Sequence, residues 1–305
     1  MSEQWIAAYY PFELISNSHS RAIMGLLFDK IICHFPVSGA SCGGGSGLYD
    51  ILLEGDALFE AGILEPREET LYSNVGADLS WNDDLEFEKY QRLQVSAMTM
   101  DLCRIDGTVP VTDDPTWPIP AYLLQNFDLP RFAQLHASAL AIQSLKIALP
   151  PIADLSDTDI LKAREELVEQ LIPFRSAMLA LSPTVRSGIE STASISDIYR
   201  EAQYIVDTQI SPPLSELKRR LSIEKGKFWR RLILKGSAIV PEFLLNWTTK
   251  NGLEAAIKAI DGVKDLTLEI VDRENLLTSL KNQGGLGFLL SVSEHPKFKV
   301  VNKDR

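Results

Sequence analysis

The sequence predicts an α/β amino-terminal part built on a short, mostly parallel sheet, followed by a mainly α-helical carboxyl-terminal part. Three observations carry this. Two short apolar runs, WIAAYYPF (5–12) and IICHFPV (31–37), flank the helical pattern of RAIMGLLFDK (21–30). A strand–helix–strand order buries its apolar faces most simply as parallel strands with helices packed on them. After Leu123 the apolar residues recur at helical spacing, which divides the 305 residues into an α/β domain, 1–125, and a helical domain, 126–305.

Each element has its own justification. The aromatic run 5–12 reads as a buried strand stopped by Pro11. Ser18 or Ser20 stands where a cap belongs, ahead of a helix carrying Ile23, Met24, Leu26, Leu27 and Phe28. LYDILLEGDALFEAGIL (48–64) reads as a second helix with a stop near Gly62. Residues 65–90 and 101–120 are rich in Asp, Asn, Pro and Trp and read as loops and edge structure. FAQLHASALAIQSLKIAL (132–149) is apolar nearly all round, the pattern of a buried helix. Ser156 with Asp159, and Ser194 with Asp197, fit the capping pattern S-x-x-D ahead of two more helices. The first sets Leu161, Leu167, Val168, Leu171, Ile172, Met178 and Leu179 along one side, with a kink expected at Pro173. The second spaces Ile195, Ile198, Tyr199, Ala202, Ile205 and Val206 helically, and Pro212-Pro213 then breaks the chain.

An apolar fraction of 45% and a charged fraction of 23% are those of a soluble globular protein. Cys33, Cys42 and Cys103 are irregularly spaced and form neither a disulfide framework nor a CxxC pair. The start, MSEQWIAAYYPF, lacks the basic and then apolar pattern of a signal peptide. No run reaches the roughly 18 apolar residues that a spanning helix needs. These features predict a reduced, cytoplasmic protein with neither a bound metal nor a cofactor.

The stretch SGASCGGGSGLYD (38–50) fits two motifs at once. Gly39-Ala40-Ser41-Cys42-Gly43 matches the G-x-S-x-G nucleophile elbow, with a strand pattern before it, a helix pattern after it and His136 and His295 downstream. Ser41 is thus a candidate nucleophile, although Pro36 shortens the preceding strand. Gly39 to Ser46 matches a phosphate loop except that Gly45 replaces the lysine that reaches the β- and γ-phosphates. Five glycines and three serines in residues 38–47 also describe a surface loop costly to order.

The acids Asp101, Asp106, Asp113 and Asp114 form a candidate site for a divalent cation in phosphodiester cleavage, with Asp101 and Asp106 foremost. Their neighbours, proline and glycine, equally mark solvated turns. Asp29 reads as a structural partner of Lys30 or a helix cap, and His136 as a satisfied core histidine. His19, His34, His136 and His295 form no local ligand pair.

Charge is unevenly spread. The net charge is −11, yet residues 218–235 hold eight Lys or Arg against one Glu, which leaves 22 − 40 = −18 elsewhere. Lys218, Arg219, Arg220, Lys225, Lys227, Arg230 and Arg231 are therefore the candidate anion-binding residues, around apolar Leu217, Leu221, Phe228 and Leu232. Such a segment can neutralise nucleic-acid phosphates, lie on an anionic membrane surface, or pair with the acidic body.

The segments AYYPFE, LLFDKIICHFP, ILKAREELVEQLIPFRSAM and ISPPLSELKRRL together resemble a group of bacterial proteins with a domain of unknown function. These open on a Tyr-Pro strand and a Leu-Phe-Asp-Lys-Ile-like element. The resemblance implies a bacterial origin and a phage-defence or mobile-element neighbourhood, and supplies no catalytic residue. The expected function is an interaction or sensor component of a defence or stress system, with a protein partner and with nucleic acid or an anionic membrane as alternatives through 218–235. The competing classes are a metal-dependent nuclease or a serine hydrolase, and a membrane-acting effector working through 218–247.

Overall fold

The structure, a computed structural model, describes residues 4–10, 15, 17–35, 56–68, 96, 99–104, 107–113, 119, 124, 127–149, 155–189, 193–215, 218 and 285–298. Its amino-terminal part is a four-stranded, wholly parallel sheet of β1 (Ile6–Tyr9), β2 (Lys30–Phe35), β3 (Leu64–Glu68) and β4 (Val109–Val111), in the order β3-β2-β1-β4. The register sets Ala7 opposite Ile31 and Val109, and Ile31 opposite Leu64. β1 is central and its residues Ala7, Ala8 and Tyr9 are buried, as a strand covered on both faces requires.

β3 lies within the stretch expected to be loop. Its sequence, LEPRE, shows no apolar alternation and contains Pro66. Both prolines of the sheet, Pro66 and Pro110, sit on the two edge strands, where a missing N–H has no ladder to interrupt. Lys30 of β2 forms an ion pair with Glu65 of β3.

Between β1 and β2 runs α1 (Ser18–Leu27). Its cap is Asn17, not Ser18 or Ser20: the Asn17 side chain accepts from the N–H groups of His19 at 2.9 Å and Ser20 at 3.2 Å. The helix expected over 48–64 appears among the described residues only as one turn, α2 (Ala57–Glu60), capped by Asp56. Past its C-cap, Ala61, the chain turns at Gly62, whose φ of 70° lies in the left-handed region that glycine adopts without steric cost. The chain passes directly into β3 from there.

The carboxyl-terminal part is helical. α3 (Leu129–Ala148) has every residue from Leu135 to Leu145 buried, so its apolar composition on all sides matches its place inside the core. α4 (Asp157–Gly188) is one helix of 32 residues that contains Pro173 and Pro183. Each proline removes a bond to the carbonyl four residues back. At Pro183 that carbonyl is Leu179's, and the Ser182 hydroxyl donates to it at 2.8 Å. α5 (Ile195–Ile205) begins with the full capping box: Asp197 N–H donates to Ser194 Oγ at 3.3 Å and Ser194 N–H to Asp197 Oδ2 at 2.9 Å. Residues Val206–Ile210 form a π turn and 211–215 are again helical. Pro212-Pro213 therefore does not break the chain, because the wider turn before it precedes the missing donors. α6 (Leu286–Glu294) closes the described part, followed by a 3₁₀ turn, Pro296–Phe298.

Packing does not stop at the expected boundary near residue 125. α1 and α2 lie against α4, β4 lies against α3, and the buried apolar residues form one continuous core from Trp5 to Phe298. Polar contacts join the same halves. Arg21 of α1 bonds Asp157 at the start of α4 and also pairs with the α2 cap, Asp56. Arg164 and Arg175 of α4 reach the end of α1: Arg164 Nη1 donates to the carbonyls of Gly25 at 2.8 Å and Phe28 at 2.7 Å, and Arg175 Nε to that of Leu27 at 3.0 Å. These carbonyls have no intrahelical partners, and cations suit the negative end of the helix dipole.

The apolar side assigned to α4 is only partly right. Leu167, Leu171 and Met178 are buried, but Val168 and Ile172 are 48% and 47% exposed.

Candidate functional site at the carboxyl ends of β1 and β4

From β1 the chain adds β2 and then β3 on one side, whereas β4 joins β1 on the other. The point where succession reverses lies between β1 and β4, and in open parallel sheets the carboxyl ends of such a strand pair border a crevice. Tyr9 ends β1, and Asp113 follows β4 by two residues. The Tyr9 hydroxyl donates to Asp113 Oδ1 at 2.7 Å. Tyr10 N–H donates to the Val111 carbonyl at 3.1 Å, which continues the ladder one step past β1.

Asp113 is held in place from a third element. Tyr199, buried on α5, accepts the Thr112 N–H on its hydroxyl oxygen at 3.1 Å. Burial, and then the charge of Asp113, push the Tyr199 hydroxyl well above the ordinary tyrosine range against the opposing Thr112 N–H. Tyr199 is therefore a neutral phenol. The arrangement offers a half-buried carboxylate flanked by a phenolic donor, which suits a ligand carrying hydroxyl or ammonium donors.

Of the residues singled out in the sequence, only some fall among the described ones. Ser41, Asp106, Asp114, Arg219, Arg220, Lys225, Lys227, Arg230 and Arg231 lie outside the described residues, as do the loop 38–47 and the rest of 219–247. Asp101 is in the helical segment 99–104 and pairs with Arg104 at 3.2 Å. Burial raises its carboxyl pKa, and Arg104 counters this. Asp101 precedes β4 and Asp113 follows it. Among the described residues no three His, Cys, Asp or Glu side chains come together as metal ligands, and no helix is long and apolar enough to cross a membrane. Lys218 is half-buried; burial lowers its pKa, opposed by the charge of Glu294.

Asp29 is structural, as expected, but its partners are not Lys30. Its carboxylate accepts from Arg164, Arg175 and the Trp5 N–H, and these contacts outweigh burial to hold its pKa below the usual range. His136 is a core residue, as expected, and is satisfied in part: its ring hydrogen-bonds the Ser182 backbone, while its Nε2 finds no partner among the described residues. His295 faces Glu166 at 3.0 Å. Burial pushes the Cys33 thiol up to about 12, so it is protonated and a poor nucleophile.

Sequence reasoning missed Tyr9 and Tyr199 because both sit in apolar patterns and count there as core. The available signal was their polar tips at the end of a strand and on the inward face of a helix. No family model, curated protein or solved structure matches this chain.

Proposed function

We propose that this chain is the sensor component of a bacterial defence or stress system, binding a small polar ligand at the carboxyl ends of β1 and β4. The observation that carries the binding role is the Tyr9–Asp113 pair at the point where strand order reverses, positioned by Tyr199. Its chemistry favours recognition of a ligand with paired hydroxyl or amino donors, such as a ribose or other sugar. The bacterial setting and the defence or stress role rest on the resemblance of the four quoted segments. The test is thermal unfolding of the wild type and of Asp113→Ala with nucleosides, nucleotides and free sugars. A ligand at a hundred times its Kd stabilises by about 2.7 kcal/mol. The expected outcome is a rise in melting temperature with one ligand class that disappears in Asp113→Ala, whose own fold stays intact. No stabilisation by any member, or stabilisation that survives the substitution, would overturn the proposal.

A further inference from the structure

α4 has a solvent-facing apolar ridge, made of Leu161, Val168, Ile172 and Leu179. Val168 and Ile172 are half-exposed, and Leu161 and Leu179 are partly buried against the core. At 100° per residue the four lie within about 40° of one line along the helix. Their spacing is symmetric: 161 + 179 and 168 + 172 both equal 340, so the ridge reads alike in both directions about position 170. A two-fold axis through that point sets Leu161 against Leu179 of a second copy, and Val168 against its Ile172. A self-complementary patch of this kind is what an isologous dimer requires.

Charge selects the same arrangement. From 157 to 170 the helix carries Asp157, Asp159, Glu165, Glu166 and Glu169 against Lys162 and Arg164, a net −3. From 171 to 188 its exposed face carries Arg186 and no acid, because Arg175 is buried against Asp29. Parallel association would set Glu165 and Glu169 against their own copies. Antiparallel association sets the acidic half against the other chain's Ser176, Ala180 and Pro183, with exposed Arg186 beside its acidic first turn. Antiparallel helix dipoles add to this preference.

We propose that the chain forms an antiparallel homodimer through α4, with Leu161, Val168, Ile172 and Leu179 as the interface. The occupant of the ridge is a second copy of this chain.

The test is the mass of the full chain in solution by light scattering over a dilution series. The expected mass is 2 × 34.0 = 68.0 kDa. Val168→Lys with Ile172→Lys should reduce it to 34.0 kDa, with the melting temperature unchanged because both side chains are exposed. Val168→Ser with Ile172→Ser is the milder variant should the lysines disturb folding. For orientation, mixed Leu161→Cys and Leu179→Cys chains are treated with a short bifunctional maleimide. Cross-links between 161 and 179 above the wild-type background are expected. A wild-type mass of 34.0 kDa at all concentrations, a dimer that survives both double variants, or cross-linking of 161 to 161 would each overturn the proposal.

Discussion

Arg175 grips Asp29 with both ends of its guanidinium, Nη1 to Oδ2 at 2.8 Å and Nη2 to Oδ1 at 2.9 Å, across 146 residues of chain. The guanidinium also lies over the Trp5 ring, 5.4 Å from its centroid. Removing one member of a buried ion pair costs about 3–5 kcal/mol because the other is left uncompensated. Asp29→Asn and Arg175→Met should each approach that range, less what Arg164 and solvent at the partly exposed Asp29 recover. Denaturant unfolding of both singles and the double variant should show that the two losses do not add. Additive losses would mean that Asp29 and Arg175 act independently.

Acid should destabilise the protein from an unusually high pH. Burial, with the nearby charge of Arg186, lowers the His136 pKa from 6.5 to about 4. The unfolded chain then binds a proton below pH 6.5 that the folded one refuses. Stability is full above that pH and is lost as the pH falls toward 4, by about 3 kcal/mol at about 1.36 kcal/mol per pKa unit. The depressed Asp29 carboxyl adds a further loss below its ordinary 3.8. His136→Gln should flatten the slope between pH 6.5 and 4 in unfolding curves; a slope unchanged by the substitution would exclude His136 as its source.

Two glycines should respond oppositely to alanine. A Cβ on Gly25 would meet Ile160 Cγ2 at 2.9 Å, where α1 crosses α4. Ile160 is buried and β-branched, so it has little room to yield. Overpacking costs about 1–3 kcal/mol, against a helix-propensity gain near 1 kcal/mol. Gly25→Ala should therefore be net destabilising. A Cβ on Gly188 meets only the flexible carboxyl end of Glu201, so Gly188→Ala should be neutral or stabilising. Melting temperatures of the two variants test the contrast.

Tyr199→Phe should leave the Thr112 N–H buried without its acceptor, at a cost of about 1–3 kcal/mol. The same substitution loosens the turn that carries Asp113. The expected result is weaker ligand binding beyond what the loss of global stability explains, measured by calorimetry at a temperature where both proteins are folded.

Legibility in the sequence followed pattern strength. β1, α1, β2 and α3 were readable from apolar spacing, and the starts of α4 and α5 from their S-x-x-D caps, whereas the α1 cap, Asn17, was misplaced onto a neighbouring serine. β3 was not, since LEPRE at a sheet edge has one partner and needs neither alternation nor a full set of donors. Pro212 misled because a π turn changes what a proline interrupts. Periodicity placed Val168 with Leu167 and Leu171, although α4 buries the latter two and turns Val168 outward. The Tyr9–Asp113 pair was hidden for a different reason: 104 residues separate the partners, and no local pattern encodes such a meeting.

Strand order also gives assembly a timetable. Ala7 must wait for Val109, 102 residues later, before β1 has neighbours on both sides. At about 5–20 residues per second of synthesis this is roughly 5–20 s. Asp29 waits longer still, until residue 175 has emerged to supply its guanidinium. Through that interval the nascent chain carries two apolar strands with an open edge, a template for pairing with other chains. A fragment ending near residue 125 would hold β1 to β4 but none of the α4 arginines, leaving the Asp29 carboxylate without its guanidinium partners.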